Sequence, residues 1–136
     1  MIFLWSSFWL ISLPIIVRDL ASQRIPNIYL KVLTIPTCLF LIVDGTGPLH
    51  NLLVNFLVLV LGIFLGVGMG DIKLLAISFM IFNSQMNFSI LIFLAILLAG
   101  TSAHLLIHIL VARQMPQRIA LAPSIFLAFA LYFAAR

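Results

Sequence analysis

The sequence predicts an all-α, polytopic membrane protein with six transmembrane helices and an N-terminus outside the cytosol. Three observations carry that reading. Hydrophobic residues fill 65% of the 136 positions and charged residues only 7%, with a mean hydropathy of +1.32, a balance far from that of soluble domains. Apolar runs follow one another, separated by short breaks rich in polar residues, glycine or proline. The basic residues fall at alternate breaks: Arg18 and Arg24, then Lys73, then Arg113 and Arg118, with Lys31 close by and only Arg136 on the other side. By the positive-inside rule those three breaks face the cytosol. A chain of this kind buries its surface in lipid as well as in itself, so 1–136 reads as a single membrane-embedded domain, with no linker, low-complexity segment or repeat to suggest a second.

The first run, 2–17, opens with Trp5 and Trp9, which suit the outer interface, and ends at Arg18-Asp19. At about 16 residues it is short for a hydrocarbon core of about 30 Å, so the helix borrows uncharged neighbours or the bilayer thins. No positive segment precedes it, so a retained span is expected and not a cleaved signal peptide. A polar loop, 20–27, follows, in which Pro26 holds Ile25 extended and Asn27 is expected to cap the second span, 28–43. Lys31 can snorkel from the inner end of that span, and Pro36 is tolerable as a kink.

Asp44-Gly45-Thr46-Gly47-Pro48 reads as an outer turn. The third span, 51–67, carries Gly62, Gly66 and Gly70 at spacings of four, one face if the helix persists that far, where a neighbouring backbone can come close. Gly68 is expected to loosen the helix end so that Asp71 stands at a break, at the start of a fourth segment over 72–82. Asn83 to Asn87 reads as an outer turn, 88–112 as a fifth span and 119–135 as a sixth, interrupted by Pro123.

Seven basic residues against three acids give a net charge of +4, but they are scattered singly and form no stripe for nucleic acid. Cys38 is the single cysteine, which excludes a disulfide framework and a CxxC metal site; it is expected to be a small buried apolar residue. His104 and His108, four apart on the fifth helix, lack a third ligand and are expected to bond to neighbouring helices, so no metal and no cofactor is expected.

The acids are more informative. A carboxylate at the edge of hydrocarbon is expensive and marks a functional site by default. The topology puts Asp19 and Asp71 on one membrane face and Asp44 on the other, where Asp44 reads as a turn residue. Two carboxyls that packing can bring together suggest an aspartyl dyad: repulsion and desolvation raise the pKa of one, leaving a base to activate water and an acid to protonate the carbonyl or the leaving amine. Such a pair titrates as a unit, and the sequence assigns neither role. Serine and cysteine nucleophile triads lack parts here.

Asp19 followed by Ile25-Pro26-Asn27, and then Gly68-Met69-Gly70-Asp71-Ile72-Lys73-Leu74, resembles the paired signature of the type IV prepilin peptidase family, the GxGD aspartyl proteases of the membrane. Either motif alone is weak; both, in that order, are specific, and the resemblance covers nearly the whole chain. It implies a six-helix peptidase core in which Asp19 and Asp71 hydrolyse the short basic leader of a pilin or pseudopilin precursor at the cytosolic face of the inner membrane. Ile25, Pro26, Asn27, Gly68, Gly70 and Lys73 would support the pair, Lys73 in an auxiliary way.

The chain lacks the cysteine-bearing N-terminal insertion of larger members, so processing without N-methylation is expected. Ala122-Pro123-Ser124-Ile125-Phe126-Leu127-Ala128 matches the family's Pro-aromatic-Gly segment only in part, without its glycine. Two further readings stay open: a small transporter or proton-relay subunit in which the membrane acids move ions, and a presenilin-like protease of other transmembrane segments, which the Ile25-Pro26-Asn27 match disfavours.

Overall fold

The computed structural model describes residues 2–84, 88–112 and 120–135. These form six α-helices and no strand: α1 (Ile2–Ser22), α2 (Asn27–Asp44), α3 (Leu49–Phe64), α4 (Met69–Ser84), α5 (Ile90–Ala112) and α6 (Ala122–Ala134). The helices pack as a ring in the order α1, α2, α4, α3, α5, α6 and back to α1, with a further contact of α4 on α6 across it. Short connections at 23–26, 45–48 and 65–68 turn the first four helices up and down. Ser89 N–H on Tyr132 Oη at one end of α5 and α6, and His104 beside Ser124 nearer the other, make those two antiparallel as well.

An aromatic cluster fills one end of the ring. Phe82 stacks on Phe129 at 4.1 Å and meets Phe8 edge-on at 5.7 Å, and Phe93 stacks on Phe129 at 4.3 Å. Offset stacked and edge-on pairs are the favoured ring geometries, and here they tie α1, α4, α5 and α6 together. The outside is apolar too. Leu10, Ile42, Leu91 and Leu110 are each more than 70% exposed, among many other large exposed aliphatic side chains on all six helices. Among the described residues, Asn27–Asp44 and Ile90–Val111 are long and apolar enough to cross a membrane, and Leu49–Phe64 and Ala122–Ala134 are shorter apolar helices.

Several helix ends differ from the sequence expectation. α1 runs past the apolar run to Ser22, because Arg18 and Asp19 continue the helix. Ser22 Oγ donates to Arg18 O, and Gln23 N–H closes the end on Asp19 O with a left-handed φ of 51°. Asp19 therefore stands one turn inside the helix and not at its boundary. At α2 the cap position belongs to Pro26, with no side-chain cap, and Asn27 is the first helical residue.

The three-glycine face does not persist. α3 stops at Phe64, and Gly66, with φ 79°, closes it through Val67 N–H on Gly62 O and Gly66 N–H on Ile63 O, the Schellman pattern. The break expected at Gly68 is thus made at Gly66, because only a glycine takes a left-handed φ without steric cost. Asn83 is not in a turn: α4 continues to Ser84, and the buried Asn83 donates to Thr46 O at 2.6 Å. Cys38 is exposed, on the side of α2 turned away from buried Leu33, Pro36, Thr37 and Phe40. Trp9 is half-buried against Phe8 and Phe126. Arg113, Arg118 and the side chain of Trp5 lie outside the described residues.

Candidate active site

The up-and-down order gathers the carboxyl ends of α1 and α3 with the amino ends of α2, α4 and α6. Asp19 comes to this end from α1, and its side chain is 3% exposed. Its Oδ2 accepts the backbone N–H of Ala122, the first residue of α6, at 2.9 Å. A helix amino end has unpaired N–H groups and a partial positive charge, so it is a natural partner for a carboxylate.

Asp71 comes from the first turn of α4, whose start is closed by Ile72 N–H on Gly68 O. A Cβ on Gly68 would stand 3.0 Å from Asp71 Oδ2, so the carboxyl folds back over the glycine. The other oxygen, Oδ1, is buried and takes no hydrogen bond among the described residues. The charge of Asp19 reaches Asp71. Yet no Cα of α1 lies within 8 Å of one in α4, so the backbones of the two helices are not packed on each other and the influence of Asp19 on Asp71 crosses that separation.

Both aspartates flank the apolar runs and do not lie within them, the first run ending at Val17 and the fourth beginning at Ile72. Burial pushes the Asp71 carboxyl up to about 6, and the neighbouring Asp19 charge adds to the effect. Burial also raises Asp19, against which the Ala122 N–H acts by stabilising the charged form.

No family model, curated protein or solved structure matches the chain.

What the site offers is therefore its own geometry. The two sequence motifs meet directly: a Cβ on Gly70 would stand 3.2 Å from Ile25 Cβ and 3.6 Å from Ile25 N, so glycine is what lets the extended Ile25-Pro26 segment lie on α4. Pro26 holds φ −63° and ψ 134° there, as its ring dictates. Lys73 Nζ donates to Asn27 Oδ1 at 3.4 Å, a long contact that links the motifs a second time and gives the auxiliary lysine a partner. Gly62 packs on Ile72, bringing α3 against the start of α4.

Other candidates are elsewhere. Asp44 ends α2 at the opposite end of the ring. His104 Nδ1 lies 3.5 Å from Ser124 Oγ of α6, a bond between neighbouring helices, and His108 is exposed. No three metal-ligating side chains gather among the described residues. The part that sequence reasoning missed is Ala122. Its contribution is a backbone N–H 103 residues from Asp19, and the one cue was Pro123 in the first turn of the last helix, a position proline favours.

Proposed function

We propose that the chain is a six-span membrane aspartyl peptidase of the prepilin peptidase type, which hydrolyses the leader of pilin or pseudopilin precursors at the cytosolic face of the inner membrane. The observation that carries the proposal is the meeting of the two motifs: Asp19 and Asp71 at one end of the ring, with Gly70 against Ile25 and Lys73 on Asn27. Two neighbouring carboxyls, one buried against a backbone donor and one with a buried free oxygen, have the composition of a water-activating acid and base.

The membrane setting is supported by the exposed aliphatic side chains on every helix, which in water would be an uncovered apolar surface of unusual extent. With an N-terminus outside, the Asp19 and Asp71 end faces the cytosol together with Arg18, Arg24, Lys31 and Lys73, all exposed. A dyad at that depth stands where the basic leader of a precursor meets its apolar helix as it enters lipid.

The test is co-expression with a prepilin. Wild type removes the leader, whereas Asp19→Asn and Asp71→Asn accumulate in the membrane and leave the precursor intact; leader removal by either variant sinks the dyad. Ion flux dependent on Asp71 in a protein that cleaves nothing would favour a transporter, and Asp71→Asn trapping unrelated transmembrane segments a presenilin-like protease.

A further inference from the structure

We infer that the two carboxyls have fixed and unequal duties: the amino end of α6 holds Asp19 as the ionised base, and Asp71 carries the proton. This rests on the peptidase reading and assigns roles within it. Asp19 Oδ2 is a hydrogen-bond acceptor from Ala122 N–H in a buried setting, and Ala122 itself is fully buried, so water does not compete for that donor. An N–H aimed at a carboxylate stabilises its charged form and opposes its protonation. Asp71 has no such donor among the described residues; its Oδ1 is buried and unpartnered, a condition costly for a charged oxygen and tolerable for one that bears a proton. Burial acts on both groups in the same direction; the backbone donor favours the charged form at Asp19 alone, and the Asp19 charge in turn raises Asp71 further.

Few other charges act on the pair. Arg18 on α1, Arg24 in the following loop, Lys31 on α2 and Lys73 on α4 are all exposed, and Lys73 is turned to Asn27. α3 carries only His50, at its far end, and α6 only Tyr132, held at the far end by Ser89 N–H. His104 of α5 stands beside Ser124, two residues along α6 from the Asp19 donor.

The chemistry closes with these duties. Asp19 takes a proton from water as the water oxygen bonds to the scissile carbonyl carbon, and Asp71 gives its proton to the carbonyl oxygen, forming a gem-diol. On collapse the C–N bond breaks, the amine nitrogen takes the proton from Asp19, and a diol hydroxyl returns one to Asp71. The net reaction adds one water to one peptide bond and restores both carboxyls. α6 is then a positioning element of the site and not only a wall of the bundle.

The test is a carboxyl titration followed by infrared spectroscopy on the purified full chain in phosphatidylcholine–phosphatidylglycerol vesicles, with no substrate needed. The expected result is one carboxyl titrating well above the ordinary range, lost in Asp71→Asn and retained in Asp19→Asn. A high titration that survives in Asp71→Asn and disappears in Asp19→Asn overturns the inference.

Replacing the 121–122 amide by an ester removes the N–H and keeps the side chain. It is expected to raise the Asp19 titration and lower kcat about tenfold with KM unchanged, whereas the same replacement at the 124–125 amide, whose N–H bonds Leu121 O, moves neither. An unmoved Asp19 titration in the 122 ester also overturns the inference. A wild type that shows the expected order yet cleaves no precursor overturns the peptidase reading and leaves the order of protonation standing.

Discussion

Gly70 and Ile25 lie so close that a methyl group on the glycine would stand 3.2 Å from Ile25 Cβ. This contact joins the stretch after α1 to the start of α4, and through them the two aspartates. Gly70→Ala forces Ile25 aside by a few tenths of an ångström. A misplacement of about 1 Å costs a reaction about a hundredfold. Leader cleavage by Gly70→Ala is therefore expected to fall about tenfold in kcat, with the protein still folded, as measured by kinetics on a purified precursor and by thermal unfolding.

Gly66 makes the opposite case. It has φ 79° and open space around its Cβ position, so a side chain there meets strain and no neighbour. Gly66→Ala is expected to lower stability by about 1–2 kcal/mol, the usual cost of a left-handed residue. Specific activity of the folded protein should stay at the wild-type level. Unfolding in detergent with parallel activity measurements separates the two effects.

Lys73 is exposed and its contact with Asn27 Oδ1 is long, so its removal costs less than a buried hydrogen bond. Lys73→Gln is expected to reduce cleavage only a few-fold, and Asn27→Ala by a similar factor. The double variant should be no worse than the more affected single one if the two act through each other, which a double-mutant cycle reads directly.

Stability should depend on pH through Asp71. Its carboxyl is raised in the folded chain to about 6 from an ordinary value of 3.8, so folding favours the protonated form. Stabilisation from this group is complete below the ordinary value and is lost as pH rises through about 6. Thermal unfolding in the same detergent is expected to give a higher midpoint at pH 5 than at pH 7.5, and Asp71→Asn should reduce that difference, the remainder belonging to Asp19, whose carboxyl burial also raises.

Much of this was legible in the sequence, for identifiable reasons. The six helices announce themselves as apolar runs, because a spanning or core helix has no polar face to hide. The two aspartates stand out because acids are rare in the chain. Helix ends were harder: the end of hydrophobicity at Val17 is not the end of α1, since Arg18 to Ser22 keep their backbone bonds, and the apolar run through Val67 hid the stop that Gly66 imposes.

Asn83 read as a turn residue because asparagine favours turns, yet a buried partner at Thr46 holds it inside α4. Cys38 read as buried because cysteine usually is, but an apolar exterior leaves room for it outside. The Ala122 donor was invisible because a backbone N–H has no residue type, and only the fold brings it to Asp19.

The central claim is that Asp19 and Asp71 act as one hydrolytic pair. Its most direct measurement is leader cleavage of a purified prepilin by wild type, Asp19→Asn, Asp71→Asn and the double variant, reconstituted in vesicles at equal amounts, with Asp44→Asn as the control. The account predicts that each single variant loses activity by at least a hundredfold, about the least a missing general acid or base costs, that the double variant is no worse than either, and that Asp44→Asn cleaves like wild type. Wild-type-like cleavage by Asp19→Asn or Asp71→Asn would contradict it.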